Sequence, residues 1–401
     1  MGLAHELTTD EGTFIQYEGI KINYSSKNFE TAYQIAPVNL LFENSIITQQ
    51  TNCFIYNSNK AFFKTSYGHF TFDVFAASFY LVSRYEEYLP HSKDKYGRYA
   101  HHNSLAFKED FIHKPLVNIW VNDFIESLQQ HYPALKPQLP SFQFKPTYDI
   151  DSAFCYKHKG FIRNIGGFIR QPSAERLRVL VGFQQDPFDC FDWLDGLHKA
   201  NKLSPVYFFL VAEMNGLYDK NILPAKPAMQ QLIKKHAAQY SIGIHPGWQS
   251  GDNKEMLFKE KKILEQIAEQ AVKLSRQHYI RFNLPDGYCR LTEAGITADF
   301  SMGYGSINGF RASVASSFYW YNLQKEEVSL LRIHPFCFME TNSLYHQGFT
   351  PAQALAEMKQ YHQTCKNVNG TFISIWHNHT LGTNKQFADW RELYQNFMGS
   401  I

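Results

Sequence analysis

Two acidic residues, Asp149 and Asp151, stand one residue apart at the end of the apolar alternating run 142–149. In a β-strand, residues two apart point to the same face, so these two carboxylates would project together. Neighbouring carboxylates either share a proton or neutralise a cation, which makes a combined metal and base site one interpretation. The alternative is a strand-end turn in which both acids are solvated or cap the next helix.

Further polar side chains lie at the ends of other predicted strands. His245 ends a short strand at 241–245, Arg276 and His278 share one face of a strand at 273–282, and His377 follows a strand at 371–376. Each residue alone has an ordinary structural explanation, such as a core histidine or a surface ion pair. In parallel α/β folds, however, chemistry collects where strands end and loops begin. Their shared position therefore favours a functional site.

The elements that must position these residues alternate between strand and helix after residue 141. The predicted strands are 142–149, 205–211, 241–245, 273–282, 330–338 and 371–376, and the predicted helices between and after them include 188–200, 228–238, 253–271, 352–365 and 386–397. Such alternation implies parallel strands joined by right-handed crossovers, hence an α/β barrel or a doubly wound sheet.

A smaller α/β domain is predicted for residues 1–132, with short strands followed by helices at 73–89 and 115–130. The segment 133–141 has three prolines in nine positions, so it cannot be regular helix or central strand. We therefore predict a linker there, followed by the main domain at 142–401. The N-terminal domain shows no catalytic pattern. Its role is open between docking a partner, dimerising and covering a barrel mouth.

Composition excludes several classes of protein. Lys and Arg number 39 against 37 acids, without the basic stripe that nucleic-acid binding requires, so nucleic acid is not an expected partner. The six cysteines include no Cys-x-x-Cys pair, which argues against zinc knuckles and disulfide frameworks. We expect no membrane span and no signal peptide, and hence a cytoplasmic protein.

Four motifs within residues 142–400 resemble those of the polysaccharide deacetylase (NodB-homology, carbohydrate esterase family 4-like) superfamily. The family's Thr-Phe-Asp-Asp-Gly or Asp-x-Asp motif is similar to 147–151, and its His-Ser/Thr-x-x-His motif is similar to 245–249. Its Arg-x-Pro-Tyr motif is similar to 276–279, and its final apolar-x-apolar-His motif is similar to 373–377. Stretches at 295–304 and 309–312 resemble a bacterial branch in which an N-terminal α/β domain precedes the barrel.

The resemblance implies a distorted (β/α) barrel and a metal-assisted hydrolase that removes an acyl group, above all N-acetyl, from a saccharide or polysaccharide precursor. A divalent metal, zinc by preference, is the implied cofactor, and an acetylated sugar is the implied partner. The implied roles are metal ligation by Asp151, His245 and His278, and catalysis by Asp149, Arg276 and His377. Because aromatic planes match sugar rings, Trp248, Tyr304 and Arg311 are candidates for the saccharide face.

Two positions depart from the family pattern. Gln249 stands where the second metal histidine belongs, and His278 replaces the proline of the arginine motif. A neutral amide is a poorer zinc ligand than imidazole, so His278 or a water supplies the missing ligand, or the site binds metal weakly or not at all. Two further hypotheses follow: a metal-independent C–N hydrolase, or a catalytically degenerate barrel that binds saccharides.

Overall fold

The chain alternates strands and helices along most of its length, and the computed structural model describes residues 4–170 and 172–401. The first three residues of the predicted N-terminal domain lie outside the described residues. The strands are β1 Ile22–Asn23, β2 Tyr33–Gln34, β3 Phe54–Tyr56, β4 Asn59–Ala61, β5 Gln143–Ile150, β6 Val206–Leu210, β7 Ser241–His245, β8 Leu274–Ser275, β9 Ala298–Asp299, β10 Phe318–Asn322, β11 Glu327–Ile333, β12 Phe338–Met339 and β13 Thr371–His377. The α-helices are α1 Glu11–Gln16, α2 Val74–Val82, α3 Leu105–Lys108, α4 Leu116–His131, α5 Phe161–Arg170, α6 Ala174–Leu180, α7 Phe191–Ala200, α8 Pro227–Ala237, α9 Lys254–Ala268, α10 Asp286–Glu293, α11 Pro351–Asn367 and α12 Ala388–Met398.

One nine-stranded sheet organises the chain after residue 142, in the order β10-β11-β9-β8-β7-β6-β5-β13-β12. Its strand pairs are parallel except for the antiparallel hairpin of β10 and β11 at one edge. The edge strands β10 and β12 do not pair with each other, so the sheet is a curled half-barrel and not a closed barrel. The predicted mixed α/β architecture is thus confirmed, with an open sheet.

The central strands are buried on both faces, which explains their nearly continuous apolar sequence. In β5, Tyr148 points to the helix side, where its hydroxyl lies 2.7 Å from His198 Nε2. Because alternate residues face opposite ways, Asp149 must then point to the other face of the sheet. In register, Asp149 lies beside His377 of β13 and Phe208 of β6.

Two predicted strands are wrong in extent, for local reasons. Only Leu274–Ser275 of the 273–282 run is a strand, because Tyr279 and Ile280 adopt left-handed backbone angles with φ of 58° and 54°. The 330–338 run is divided between β11 and β12, and Pro335, which has no N–H for a strand ladder, lies in the gap. Strands β9 and β10 were not predicted.

The predicted helix at 73–89 ends early, at Val82, because Arg84 adopts a left-handed conformation with φ 57°. A short 3-10 turn, Tyr85–Glu87, follows it. The predicted helix at 115–130 agrees with α4 to within one residue. Residues 133–141 contain no helix or strand.

The N-terminal region and the nine-stranded sheet share one hydrophobic core. Backbone hydrogen bonds cross between them, from Val117 N to Ser313 O at 3.0 Å and from Phe310 N to Ile112 O at 2.7 Å. The N-terminal region is therefore packed on the sheet and not tethered beside it. None of the helices within 4–170 and 172–401 combines the length and apolar character needed to cross a bilayer.

Candidate active site

Asp149 is a buried carboxylate held by an arginine. Its Oδ1 accepts a hydrogen bond of 2.9 Å from Nη1 of Arg276, which is itself completely buried. The Arg276 guanidinium lies 4.4 Å from the ring centroid of Phe208, and its Nε donates to Phe300 O. The orientation of Asp149 is therefore set by Arg276, which follows β8 and is itself held by Phe208 of β6 and by Phe300 after β9.

Asp151 lies immediately after β5 and is surrounded by three imidazoles. His245 Nε2 is 3.1 Å from its Oδ1, while His278 Nε2 and His377 Nε2 each lie 3.5 Å from its Oδ2. Burial would raise the pKa of Asp151, but the neighbouring histidines outweigh it and hold that pKa well below the usual range. We call Asp149, Asp151, His245, His278 and His377 the Asp–His cluster.

Hydrogen bonds on the far side of two rings orient them toward Asp151. His245 Nδ1 donates to Arg276 O at 2.6 Å, and His278 Nδ1 donates to Asp219 Oδ1 at 2.9 Å. With Nδ1 bonded on the far side, Nε2 of each ring is turned toward Asp151, which is the usual arrangement around a metal-binding histidine. Burial alone would lower the pKa of His278, yet Asp151 and Asp219 raise it to about 9.

His377 is paired with a second buried acid. Its Nδ1 and its backbone N each donate to Glu340 Oε1 at 2.8 Å, and Thr380 Oγ1 donates to the same oxygen. Burial would lower the pKa of His377, but the Glu340 carboxylate, helped by the acids of β5, raises it to about 10. His377 is therefore suited to carry a proton at neutral pH.

The turn that carries His278 is strained and clamped by the N-terminal region. Tyr279 and Ile280 both have positive φ, which is costly for residues other than glycine and is often found at functional sites. Arg98 Nη1 donates to Tyr279 O at 2.7 Å and to Gly305 O at 3.0 Å. An N-terminal side chain thus helps to hold this ligand turn in place.

The residues present fit a divalent metal. One ligand atom from each of Asp151, His245 and His278 lies within 4.8 Å of the other two. Asp151 Oδ1 is buried and has no hydrogen-bond partner among the described residues. A bound cation would give this oxygen the partner that a buried polar atom needs. One carboxylate and two imidazoles are a ligand set that zinc accepts. Gln249 is exposed. Among the predicted outcomes, which were a ligand from His278, a water ligand, or weak or absent metal binding, the geometry favours His278.

The predicted saccharide-binding residues differ in accessibility, since Trp248 is half-buried and the other two are buried. The Trp248 ring stacks on Tyr218 with centroids 3.8 Å apart, and the Arg281 guanidinium lies 4.6 Å from it. Tyr304 and Arg311 are only 2% and 1% exposed, and Arg311 is ion-paired with Glu87. Neither of those two side chains is exposed enough to contact a saccharide in this structure.

Three residues that orient the cluster were missed from the sequence: Asp219, Glu340 and Arg98. Glu340 follows β12 directly, and the break at Pro335 could have revealed this extra strand end. Asp219 lies well beyond the end of β6, and Arg98 lies in the irregular stretch between α2 and α3. No local pattern connects either residue to a strand end.

Comparison with known proteins gives likenesses of fold. A family of unknown function (DUF7033) matches residues 1–133, and a search of curated proteins finds no match. A proposed polysaccharide deacetylase from Mycobacterium smegmatis is 14% identical, with 66% of this chain and 86% of that chain covered and a TM-score of 0.42.

Two further solved structures are similar at the same level. A polysaccharide deacetylase from Bacillus cereus is 10% identical over 65% of this chain and 88% of that chain, with a TM-score of 0.30. A mutant of a CE4 family pseudoenzyme with restored enzymatic activity is 9% identical over 65% of each chain, with a TM-score of 0.32. At these scores the likenesses do not assign an activity to this chain.

Proposed function

We propose that this protein is a hydrolase that cleaves an acyl amide, in the manner of a polysaccharide deacetylase, with an N-acetylated saccharide as the substrate class. The observation that carries the proposal is the Asp–His cluster, in which five side chains from the ends of β5, β7 and β13 and from the turn after β8 converge. Water adds to the acyl carbonyl, the C–N bond breaks, and a carboxylic acid and a free amine leave.

Asp149 acts as the general base. Arg276 keeps this carboxylate oriented through the 2.9 Å hydrogen bond to Oδ1, which leaves Oδ2 available to accept the proton of the attacking water. A positioned base of this kind contributes roughly 10²- to 10⁴-fold to a rate. The buried setting strengthens the pairing with Arg276, because little water competes for either charge.

His377 acts as the general acid. Glu340 holds the ring by Nδ1 and keeps it protonated, so that Nε2–H faces the cluster and can donate a proton to the departing amine. Asp149 and His377 are paired in register on neighbouring strands. Base and acid therefore stand at the same end of the sheet.

Asp151, His245 and His278 hold a divalent metal in this proposal. When bound, such an ion polarises the acyl carbonyl and the attacking water and stabilises the negative charge that develops on oxygen. Asp219 and the Arg276 carbonyl accept hydrogen bonds from Nδ1 of the two imidazoles and so keep their Nε2 atoms turned toward Asp151.

The test is acetate release from N-acetylated saccharides by metal-supplemented protein. Replacing Asp149 with Asn preserves size and a hydrogen bond to Arg276 but removes the base, so kcat should fall by about 10²- to 10⁴-fold while metal binding is retained. Asp252→Asn, a partly exposed acid on the loop after β7, serves as the matched control and should keep full activity. Turnover by Asp149→Asn at the wild-type rate would remove Asp149 from the mechanism.

A metal-independent C–N hydrolase is the second candidate, favoured by one observation. The raised pKa values of His278 and His377, about 9 and about 10, allow the cationic rings to neutralise Asp151 without an ion. In that case Asp149, His278 and His377 perform the proton transfers alone. Full activity in the presence of a strong chelator would select this candidate, whereas loss of activity that zinc restores would select the metal-assisted one.

A further inference from the structure

Large apolar side chains are exposed together on one segment that follows the loop after Asp151. Phe161 is 80% exposed, Ile169 76% and Phe183 88%, far beyond what an ordinary surface residue of these types shows. In α5, Phe161, Ile165 and Ile169 are spaced four apart and form one stripe along the helix. We call the following residues the 161–183 face: Phe161, Ile165, Ile169, Leu177, Val181 and Phe183.

The charge within this segment is almost entirely basic. Residues 157–183 contain six Lys or Arg and a single acid, Glu175, for a net charge of +5. The whole chain carries +2, so everything outside this segment sums to −3 and the basic charge is concentrated here. Arg163, Arg170 and Arg178 are exposed. By helical spacing, Arg163 and Arg170 lie on the side of α5 opposite the apolar stripe.

The segment is anchored to the rest of the protein and not a loose tail. The Arg163 guanidinium donates to Lys220 O at 3.3 Å and to Asn221 O at 3.4 Å, while Arg176 Nη1 donates to Asn164 O at 3.3 Å and so joins α6 to α5. The apolar stripe is thus presented outward while the polar side of α5 holds the segment on the protein.

We propose that the 161–183 face docks on the surface of an anionic lipid bilayer. A helix with a strong apolar stripe and exposed basic side chains lies in the headgroup region, with its apolar side chains at the acyl boundary and the exposed bases, here Arg170 and Arg178, near lipid phosphates. A protein groove could accept the apolar stripe, but the net charge of +5 beside it matches an anionic surface. This inference does not depend on the proposed hydrolase activity.

The position of the face relates it to the Asp–His cluster. Helix α5 begins ten residues after Asp151, and its Arg163 contacts the loop that carries Asp219. On that same loop Met214 and Leu217 are 78% and 75% exposed. The 161–183 face and these two residues therefore lie on the segments that follow β5 and β6. Both segments begin at the carboxyl end of the sheet, where the Asp–His cluster lies. Docking would bring that end of the sheet to the membrane surface.

Vesicle sedimentation of the full-length protein tests the proposal. The protein should bind vesicles of phosphatidylcholine mixed with phosphatidylglycerol, not vesicles of phosphatidylcholine alone, and added salt should weaken binding. The double variant Phe161→Ser with Phe183→Ser should lower affinity by about tenfold or more, since two aromatic side chains no longer leave water. Arg170→Glu with Arg178→Glu should do the same at low salt and less at high salt.

The matched control uses exposed apolar residues elsewhere. Leu330 and Val328 on β11 are 87% and 64% exposed, and replacing both with Ser should leave vesicle binding unchanged. The proposal would be overturned if the protein bound neither kind of vesicle, or if it bound both kinds equally well. The proposal would also be overturned if wild type formed a dimer in solution and bound no vesicles, and if the double variant Phe161→Ser with Phe183→Ser were a monomer. In that case a second copy of the chain would cover the face. Hydrolysis of a soluble substrate by this variant should match wild type, which separates this test from that of the proposed function.

Discussion

The side chain of Asp151 lies in an unusual environment for a carboxylate. It is negative, has three imidazoles around it, and has a buried oxygen without a hydrogen bond. A buried carboxylate is costly unless a positive charge compensates it. Either protonated His278 and His377 or a divalent ion can supply that charge, and this choice separates the two candidate mechanisms.

At the same scale, Glu340 is a positioning residue for His377, and its charge should set the basic limb of the pH profile. A general acid works only while protonated, so activity is lost as the pH rises through its pKa, which Glu340 helps to raise to about 10. In Glu340→Gln the hydrogen bond can persist but the charge is gone. We expect the basic limb of kcat/KM to move to lower pH, toward the ordinary histidine pKa of about 6.5.

The Glu340→Gln measurement is a pH series of kcat and KM, with Glu340→Asp as the variant that restores the charge. KM should change little, since Glu340 does not face the substrate side of His377. A purely structural role for Glu340 would lower activity by the same factor at every pH, and that outcome would contradict its assignment.

At the scale of elements, the site depends on strand ends and on one irregular turn. Strands β5, β7 and β13 deliver Asp149, His245 and His377 by regular geometry. His278 instead reaches the cluster from a turn with two successive left-handed residues, which only surrounding contacts can maintain. Arg98 provides such a contact through Tyr279 O.

Replacing Arg98 with Ala should therefore loosen the ligand turn without touching a ligand. We expect metal affinity to fall by about 10- to 100-fold, as it does when a residue that orients a metal ligand is removed. Arg98→Lys keeps the charge but cannot bond both Tyr279 O and Gly305 O in the same planar geometry, so it should recover only part of the loss.

Competition with a chelating dye measures the affinity of the Arg98 variants, and Arg332→Ala, an exposed arginine on β11, is the control. Wild-type metal affinity in Arg98→Ala would show that the turn holds its shape without the N-terminal region.

The parts of the site that could be predicted from sequence are those on regular strands. Apolar alternation and burial identify β5, β7 and β13, and a polar residue at the end of each then stands out. His278 was predicted as a strand residue because a positive φ at Tyr279 leaves no local pattern in the sequence. Glu340 was missed because two strands were merged into one.

At the scale of the whole molecule, buried ion pairs lock the N-terminal region onto the sheet. Glu87 accepts hydrogen bonds from Arg311 at 2.6 and 2.8 Å and from Arg84 at 2.7 Å, and all three side chains are almost fully buried. Arg84 also donates to the backbone oxygen of Arg311. Arg311 was predicted to face a saccharide. Its partner Glu87 lies 224 positions away in the sequence, and no local pattern reports such a contact.

Glu87→Gln should destabilise the protein at neutral pH by about 3–5 kcal/mol, because the buried Arg311 guanidinium loses its counter-charge and Arg84 keeps only its pair with Glu86. Burial would raise the pKa of Glu87, but Arg311 and Arg84 outweigh it and lower that pKa from 4.5 to about 2. Because the folded-state pKa is depressed, this stabilisation is complete above pH 4.5 and is lost as the pH falls toward 2.

The midpoint of urea unfolding, compared between wild type and Glu87→Gln along a pH series, measures this effect. The difference should be largest near neutral pH and should shrink as the pH drops below 4.5. Glu269→Gln, which breaks an exposed pair with Lys234, should change the midpoint little at any pH. A difference between wild type and Glu87→Gln that does not depend on pH would show that packing, not charge, joins the two parts.

The central claim is that Asp151, His245 and His278 together form a metal site. Elemental mass spectrometry of the purified protein, supplied with zinc and then freed of excess, tests it with Asp151→Ala, His245→Ala and His278→Ala beside the exposed control His102→Ala. The account predicts about one zinc per chain in wild type and in the control, and a loss in each of the three variants. The claim would be contradicted if wild type bound no zinc, or if the His278→Ala variant still bound about one zinc per chain.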